Sequence, residues 1–130
     1  MDILVVDDEA SSRTLLAMML GSLGCTVAEA ANGKEAIEAV RSSAPDLVLI
    51  DQIMPEMFGY DAMLAIRDLE GFDHLPFVMI TTSYDVQERQ DKDELKCCAF
   101  IPKPFSREQL FSAIRVATGR KFPPNPPTPA

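Results

Sequence analysis

Apolar residues fall along this chain in two alternating patterns. Short runs rich in β-branched residues occupy Ile3 to Val6, Thr26 to Ala28, Leu47 to Ile50, Phe77 to Thr81 and Ala99 to Pro102, and longer helix-like stretches separate them. The pattern predicts five strands and five helices. Two helical stretches carry start signals, since Asn32 with Glu35 and Ser106 with Gln109 have the spacing at which each side chain satisfies the other residue's free backbone N–H. Pro45 and Gly71 fall in gaps between elements. Leu15, Met18, Met19 and Leu23 recur at helical spacing, as do Leu110, Ile114 and Ala117, and both sets are expected to line the core.

Strict alternation of strands and helices favours a parallel sheet covered on both faces, because parallel neighbours require right-handed crossovers. The middle strands read as nearly continuous apolar runs, as strands buried on both faces should. Pro102 places the last strand at an edge, where a missing backbone donor is tolerated. An α/β, flavodoxin-like (βα)5 doubly wound sheet in strand order 2-1-3-4-5 satisfies all of these features.

Two segments depart from the pattern. Asp85 to Lys96 is polar, with only Val86 and Leu95 as sizeable apolar anchors, so a fourth helix there is weakly held. Phe122 to Ala130 contains Pro123, Pro124, Pro126, Pro127 and Pro129, a composition suited to an extended spacer. The expected organisation is therefore one domain over residues 1–119 and a Pro-rich linker or tail over 120–130; a Pro-rich docking peptide is the lesser reading of the tail.

A length of 130 residues with 47% apolar and 25% charged residues suits a single soluble globular domain. The net charge of -8 argues against direct nucleic-acid or anionic-membrane binding, which rests on Lys and Arg meeting phosphates. No apolar run approaches the roughly 18 residues of a membrane span, and Met1-Asp2 leads into a strand without a basic, signal-like segment, so a cytoplasmic location is expected. Cys25, Cys97 and Cys98 have neither metal-ligand spacing nor a disulfide pattern and read as reduced structural thiols.

The chemistry lies at the strand ends. Asp7 and Asp8 close the first strand and Asp51 the third, and in an open α/β sheet these ends border one crevice. Clustered carboxylates repel one another unless they share a hard cation, and oxygen-only ligation selects a magnesium-like metal over zinc. Thr81 ends the fourth strand, and Lys103 follows the fifth, ahead of Pro104-Phe105. Each of these residues alone would be an ordinary turn or surface group. Their joint occurrence in this order is what carries meaning.

The segment Ile3-Leu4-Val5-Val6-Asp7-Asp8-Glu9, Asp51 with Met54-Pro55-Glu56-Met57 and Gly59, the Thr81 hydroxyl and Lys103-Pro104-Phe105 together resemble the receiver domain of bacterial two-component response regulators, over residues 2 to about 118. The resemblance implies that Asp51 accepts a phosphoryl group from a sensor histidine kinase, a histidine phosphotransfer protein or a small donor such as acetyl phosphate. It implies Mg²⁺ held by Asp8, Asp51, the Ile53 backbone carbonyl and Asp7, the last directly or through water. Lys103 and Thr81 would meet the phosphoryl oxygens, and Thr81 with Phe100 would relay the change. The resemblance also implies a cis Lys103–Pro104 bond, self-catalysed phosphorylation and dephosphorylation only, and an output domain after the Pro-rich tail. The surface used for a homodimer or a partner would be the fourth helix, fifth strand and fifth helix.

Thr82 departs from the family's usual small residue beside the acceptor, and Lys96 replaces a glycine often found where the fourth helix ends. Glu9 reads as a solvated acid and His74 as a surface loop residue. Two other functions compete. A haloacid dehalogenase-type phosphohydrolase also forms an aspartyl phosphate, but it needs an acid two residues after the nucleophile, where this chain has Ile53. A phosphorylation-independent interaction module would not need the full set of acids with Thr81 and Lys103.

Overall fold

β1 (Asp2–Val6), β2 (Thr26–Ala30), β3 (Leu47–Asp51), β4 (Phe77–Thr81) and β5 (Cys98–Pro102) pair in parallel in the order β2-β1-β3-β4-β5 in the computed structural model of the chain, which describes residues 1–81 and 98–124. α1 (Ala10–Ser22), α2 (Gly33–Ser43), α3 (Gly59–Arg67) and a C-terminal helix (Arg107–Thr118) cover the sheet. The fold is thus the α/β doubly wound sheet expected, with β2 and β5 as edges and Pro102 on one of them. The expected fourth helix over Asp85 to Lys96 lies outside the described residues, as do Thr82 and Cys97.

Period-two alternation along the strands builds two apolar layers. Ile3, Val5, Leu47, Leu49, Val78 and Ile80 face α1 and the C-terminal helix, meeting Leu16, Leu20, Leu110 and Ile114. Leu4, Val6, Val48, Ile50, Phe77 and Met79 face α2 and α3, meeting Ala36, Val40, Met63 and Ile66. β3 and β4 are buried at every position, which is why their sequences show no polar face. β2 runs to Ala30, beyond the expected end at Ala28, because its five residues pair in register with all five of β1.

One expectation needs correction. In α1 the buried residues are Leu16 and Leu20, with Met19 and Leu23 packed beside them, while Leu15 and Met18 are 68% and 67% exposed. Apolar residues occur on nearly every side of this helix, so spacing alone could not choose the face that meets the sheet. The C-terminal helix has a clearer stripe, and Leu110, Ile114 and Ala117 are buried as expected. The packed body also passes residue 119. Phe122 is 2% exposed, meets Phe111 edge-on with ring centroids 5.2 Å apart, and accepts a 2.8 Å hydrogen bond at its carbonyl from Arg115. Only the residues after it have the spacer composition.

Ser106 and Gln109 form the reciprocal cap, with bonds of 3.1 and 2.8 Å. At α2 the exchange is incomplete: Asn32 Oδ1 accepts from Glu35 N, but the Glu35 carboxylate turns to Ala31 N and the Asn32 amide. Cys25 is buried as a free thiol, Cys98 is half-buried, and His74 is exposed beside Asp73. No helix among the described residues is long and apolar enough to cross a membrane.

Candidate functional site

Side chains continue their alternation past the strand ends, and this sets what each polar residue meets. Asp7 follows Ile3 and Val5 on the α1 side, and Asp51 follows Leu47 and Leu49 on the same side. Both are buried at 7% exposure, while Asp8, one residue on, is exposed. One oxygen from each of Asp7, Asp8 and Asp51 lies within 4.8 Å of the others. Lys103, just beyond β5, brings Nζ to 3.1 Å from Asp51 Oδ2 and 3.8 Å from Asp7 Oδ2. The Lys103–Pro104 peptide bond is cis.

The backbone holds these acids in place. Asp7 Oδ1 accepts from Glu9 N at 2.9 Å, which folds the start of the β1–α1 loop over the carboxylate. Arg13 donates to the Asp7 carbonyl at 2.7 Å and pairs with Glu29 at 3.1 Å. Asp51 Oδ1 accepts from Ile53 N at 3.3 Å, so both Asp51 oxygens are engaged, one by the loop and one by Lys103. Thr81, buried, ends the adjacent β4, one residue past Ile80, which pairs with Asp51.

Burial pushes the Asp7 carboxyl above its usual range, helped by the charges of Asp51 and Asp8; the Glu9 N–H and Lys103 oppose this without cancelling it. For Lys103, burial is the largest single influence and acts to lower its pKa. The hydrogen bond and charge of Asp51, with Asp7 and Glu9, together outweigh burial and raise it, so the ammonium stays charged. The donors in the cluster are oxygens only, mutually close and partly desolvated. They fit a small hard dication, whose charge would offset both the burial that raises Asp7 and the smaller repulsion from Asp51 and Asp8.

The sequence-identified residues Asp7, Asp8, Asp51 and Lys103 come together here, Thr81 ends the neighbouring strand, and the Ile53 N–H bonds to Asp51 while its side chain is exposed. Phe100 does not join them. It lies half-buried on β5, in register with Met79, and packs against the α2–α3 layer on the opposite face of the sheet. Three other residues matter, of which the sequence reading passed over Gln52 and Gly33 and quoted Gly59 only as part of the Asp51 motif. Gln52 is 7% exposed, and its side chain accepts from Tyr60 N at 2.7 Å. Gly59 lies so close that a Cβ there would stand 2.5 Å from the Asp51 carbonyl oxygen, and a Cβ at Gly33 would stand 2.6 Å from the Met57 sulfur. The available signal was Gln52 itself, which continues the Val48, Ile50 alternation toward the α2–α3 layer as a polar residue.

A family model described as the response regulator receiver domain matches residues 3–115. The probable transcriptional regulator ycf27 of Porphyridium aerugineum is 38% identical over 87% of this chain, and the match spans 46% of that relative, so the chain covers about half its length. Among solved structures, Vibrio cholerae chemotaxis protein CheY4 superposes with a TM-score of 0.79 at 28% identity, covering 88% of this chain and 95% of that one. The receiver domain of the sensor histidine kinase PA1611 from Pseudomonas aeruginosa, solved with magnesium coordinated in its active-site cleft, gives 0.74 at 27% identity over 92% and 98%. The chain belongs to the response regulator receiver domains of two-component signalling.

Proposed function

We propose that this receiver is a Mg²⁺-dependent phosphoacceptor switch in which Asp51 takes a phosphoryl group from the phosphohistidine of a sensor kinase or a histidine phosphotransfer protein. One observation carries the reading: a buried Asp51 carboxylate is held between Lys103, at 3.1 Å, and two further carboxylates within 4.8 Å. That combination is expensive for a structural role. It suits phosphoryl transfer, which is mostly positioning and electrostatics.

In the reaction, an Asp51 oxygen bonds to phosphorus as the bond from phosphorus to the donor nitrogen breaks, and the leaving imidazole keeps that electron pair. Lys103 must release Asp51 Oδ2 and turn its charge to the phosphoryl oxygens, a short movement because it already faces both Asp51 and Asp7. Asp7, Asp8, Asp51 and the Ile53 carbonyl would hold Mg²⁺, which when bound neutralises charge on the transferring group. The magnesium in the PA1611 receiver supports this assignment. Thr81 donates its hydroxyl to the modified Asp51, and the gain of roughly -1.5 to -2 charge units is relayed through Thr81 and Phe100 to a partner or output module. Because the matched region is about half of the ycf27 relative, an output module joined through the Pro-rich residues is one proposed recipient. A homodimer using β5, the C-terminal helix and the segment before β5 is another.

The chain's own chemistry is confined to self-catalysed phosphorylation and dephosphorylation. Ile53, exposed two residues past Asp51, can neither protonate a leaving group nor activate a water, which argues against sustained hydrolysis. Incubation with acetyl phosphate and Mg²⁺, followed by intact mass, tests the reading: one labile phosphoryl group per chain is expected. Steady release of phosphate would make the protein a hydrolase, and no uptake from acetyl phosphate or any phosphohistidine donor would leave it an interaction module.

A further inference from the structure

Phe58, at the N-cap position of α3, offers no side-chain acceptor to the free N–H groups of the helix's first turn. Gln52 supplies one from across the loop. Its buried side-chain carbonyl accepts from Tyr60 N at 2.7 Å, and its backbone carbonyl accepts from Gly59 N at 3.0 Å. On the strand side, the Gln52 N–H donates to the Ile80 carbonyl at 2.9 Å. One residue thus ties β3, β4 and α3 together. Gly59 allows the join to close, because any Cβ there would press on the Asp51 carbonyl. The tie lies within the site's backbone, with Asp51 immediately before it and Ile53 immediately after.

We propose that Gln52 is a positioning residue for the phosphoacceptor site: it holds α3 against the end of β3 so that the Asp51 carboxylate and the Ile53 backbone are presented together to the cation. The proposal rests on the phosphoacceptor reading and adds to it a side chain that touches neither metal nor phosphoryl group. Alternation explains how it does so. Asp51 turns toward α1 and Lys103, and Gln52 turns the other way toward α3, so the strand end is anchored from the face opposite its chemistry.

The test compares the parent chain with Gln52→Leu and with Gln52→Leu/Phe58→Ser, measuring Mg²⁺ affinity by calorimetric titration, the thermal midpoint, and hydrogen exchange at the Tyr60 amide. Gln52→Leu keeps the bulk and removes the acceptor, and should weaken Mg²⁺ binding about tenfold, the loss typical when a support of a metal ligand is removed. Serine at Phe58 restores an ordinary cap for α3 without restoring the link to β3. The double variant should therefore recover the thermal midpoint and stay weak for Mg²⁺. Should Gln52→Leu alone be too unstable to titrate, the double variant carries the measurement. Mg²⁺ affinity within twofold of the parent in either variant, or an unprotected Tyr60 amide in the parent, would overturn the proposal. A parent chain that binds no Mg²⁺ would instead remove the phosphoacceptor reading, and this inference with it.

Discussion

Ile3 to Val6, Leu47 to Ile50 and Phe77 to Ile80 form a sheet interior with no charge and almost no exposure, yet within one or two residues the first two strands bring Asp7, Asp8 and Asp51 together and the third ends in Thr81. The interior follows the rule that apolar area should leave water. The rim violates the rule that like charges should be kept apart, and partly buries two of the acids while doing so. Stable folds tolerate such conflicts mainly where the site uses them. The rigid interior also lets the rim hold its carboxylates close, because five paired strands fix where each one ends.

The largest expected effect lies in the interior. Phe77→Ala should destabilise the chain by about 3–5 kcal/mol, the range for deleting a buried aromatic side chain. Phe77 is fully buried and also lies under the Arg67 guanidinium, 5.4 Å from its ring centroid. Chemical denaturation would read this as a lower midpoint with unchanged slope; a loss under 1 kcal/mol would mean the α2–α3 layer is looser than described. At the rim, Lys103→Ala should slow phosphoryl uptake from acetyl phosphate about a hundredfold, as removal of one aimed donor does elsewhere. A rate within threefold of the parent would show that its contacts with Asp51 and Asp7 are structural only.

Ile53→Asn acts on the lifetime of the modified state. The exposed isoleucine carries no polar group that could orient a water beside Asp51, and an amide should hasten dephosphorylation about tenfold, equivalent to roughly 1.4 kcal/mol of barrier. Loss no faster than in the parent would move control of the lifetime elsewhere, with Thr82 the next residue to test.

The smallest effect has the opposite sign. The raised pKa of Asp7 means that the folded chain holds this proton more tightly than the unfolded chain. Stability is therefore favoured below the ordinary aspartate range and lost as pH rises through the raised value. Asp7→Asn removes that loss while keeping an acceptor for Glu9 N. In metal-free buffer at pH 7 it should raise the thermal midpoint by about a few degrees, a gain that shrinks as pH falls below the aspartate range. A lower midpoint at pH 7 would contradict the account of crowded acids, and equal gains at all pH values would detach the effect from ionisation.

The same contrast decides what the sequence could reveal. Strands and their order were legible because period-two and buried runs are imposed by the layers, and Asp7, Asp8, Asp51, Thr81 and Lys103 stood out because each breaks an apolar run at its end. The face of α1 was hidden, since Leu15, Leu16, Met18, Met19 and Leu20 allow several equivalent stripes and only contact with the sheet selects Leu16 and Leu20. Phe122 was hidden by the prolines that follow it, although its burial against Phe111 makes it part of the core. Gln52 read as the first loop residue because its role depends on α3 returning to the strand end, a contact that no local pattern records.

The central claim is that Asp51 receives the phosphoryl group. Borohydride reduction of the acetyl phosphate-treated protein, followed by peptide mass spectrometry, tests it directly, because reduction of an aspartyl phosphate leaves homoserine in place of the aspartate. The account predicts homoserine at position 51 alone, and only when Mg²⁺ was present. Homoserine at position 7 or 8, or labelling at 51 that is equally fast in a chelator, would contradict it.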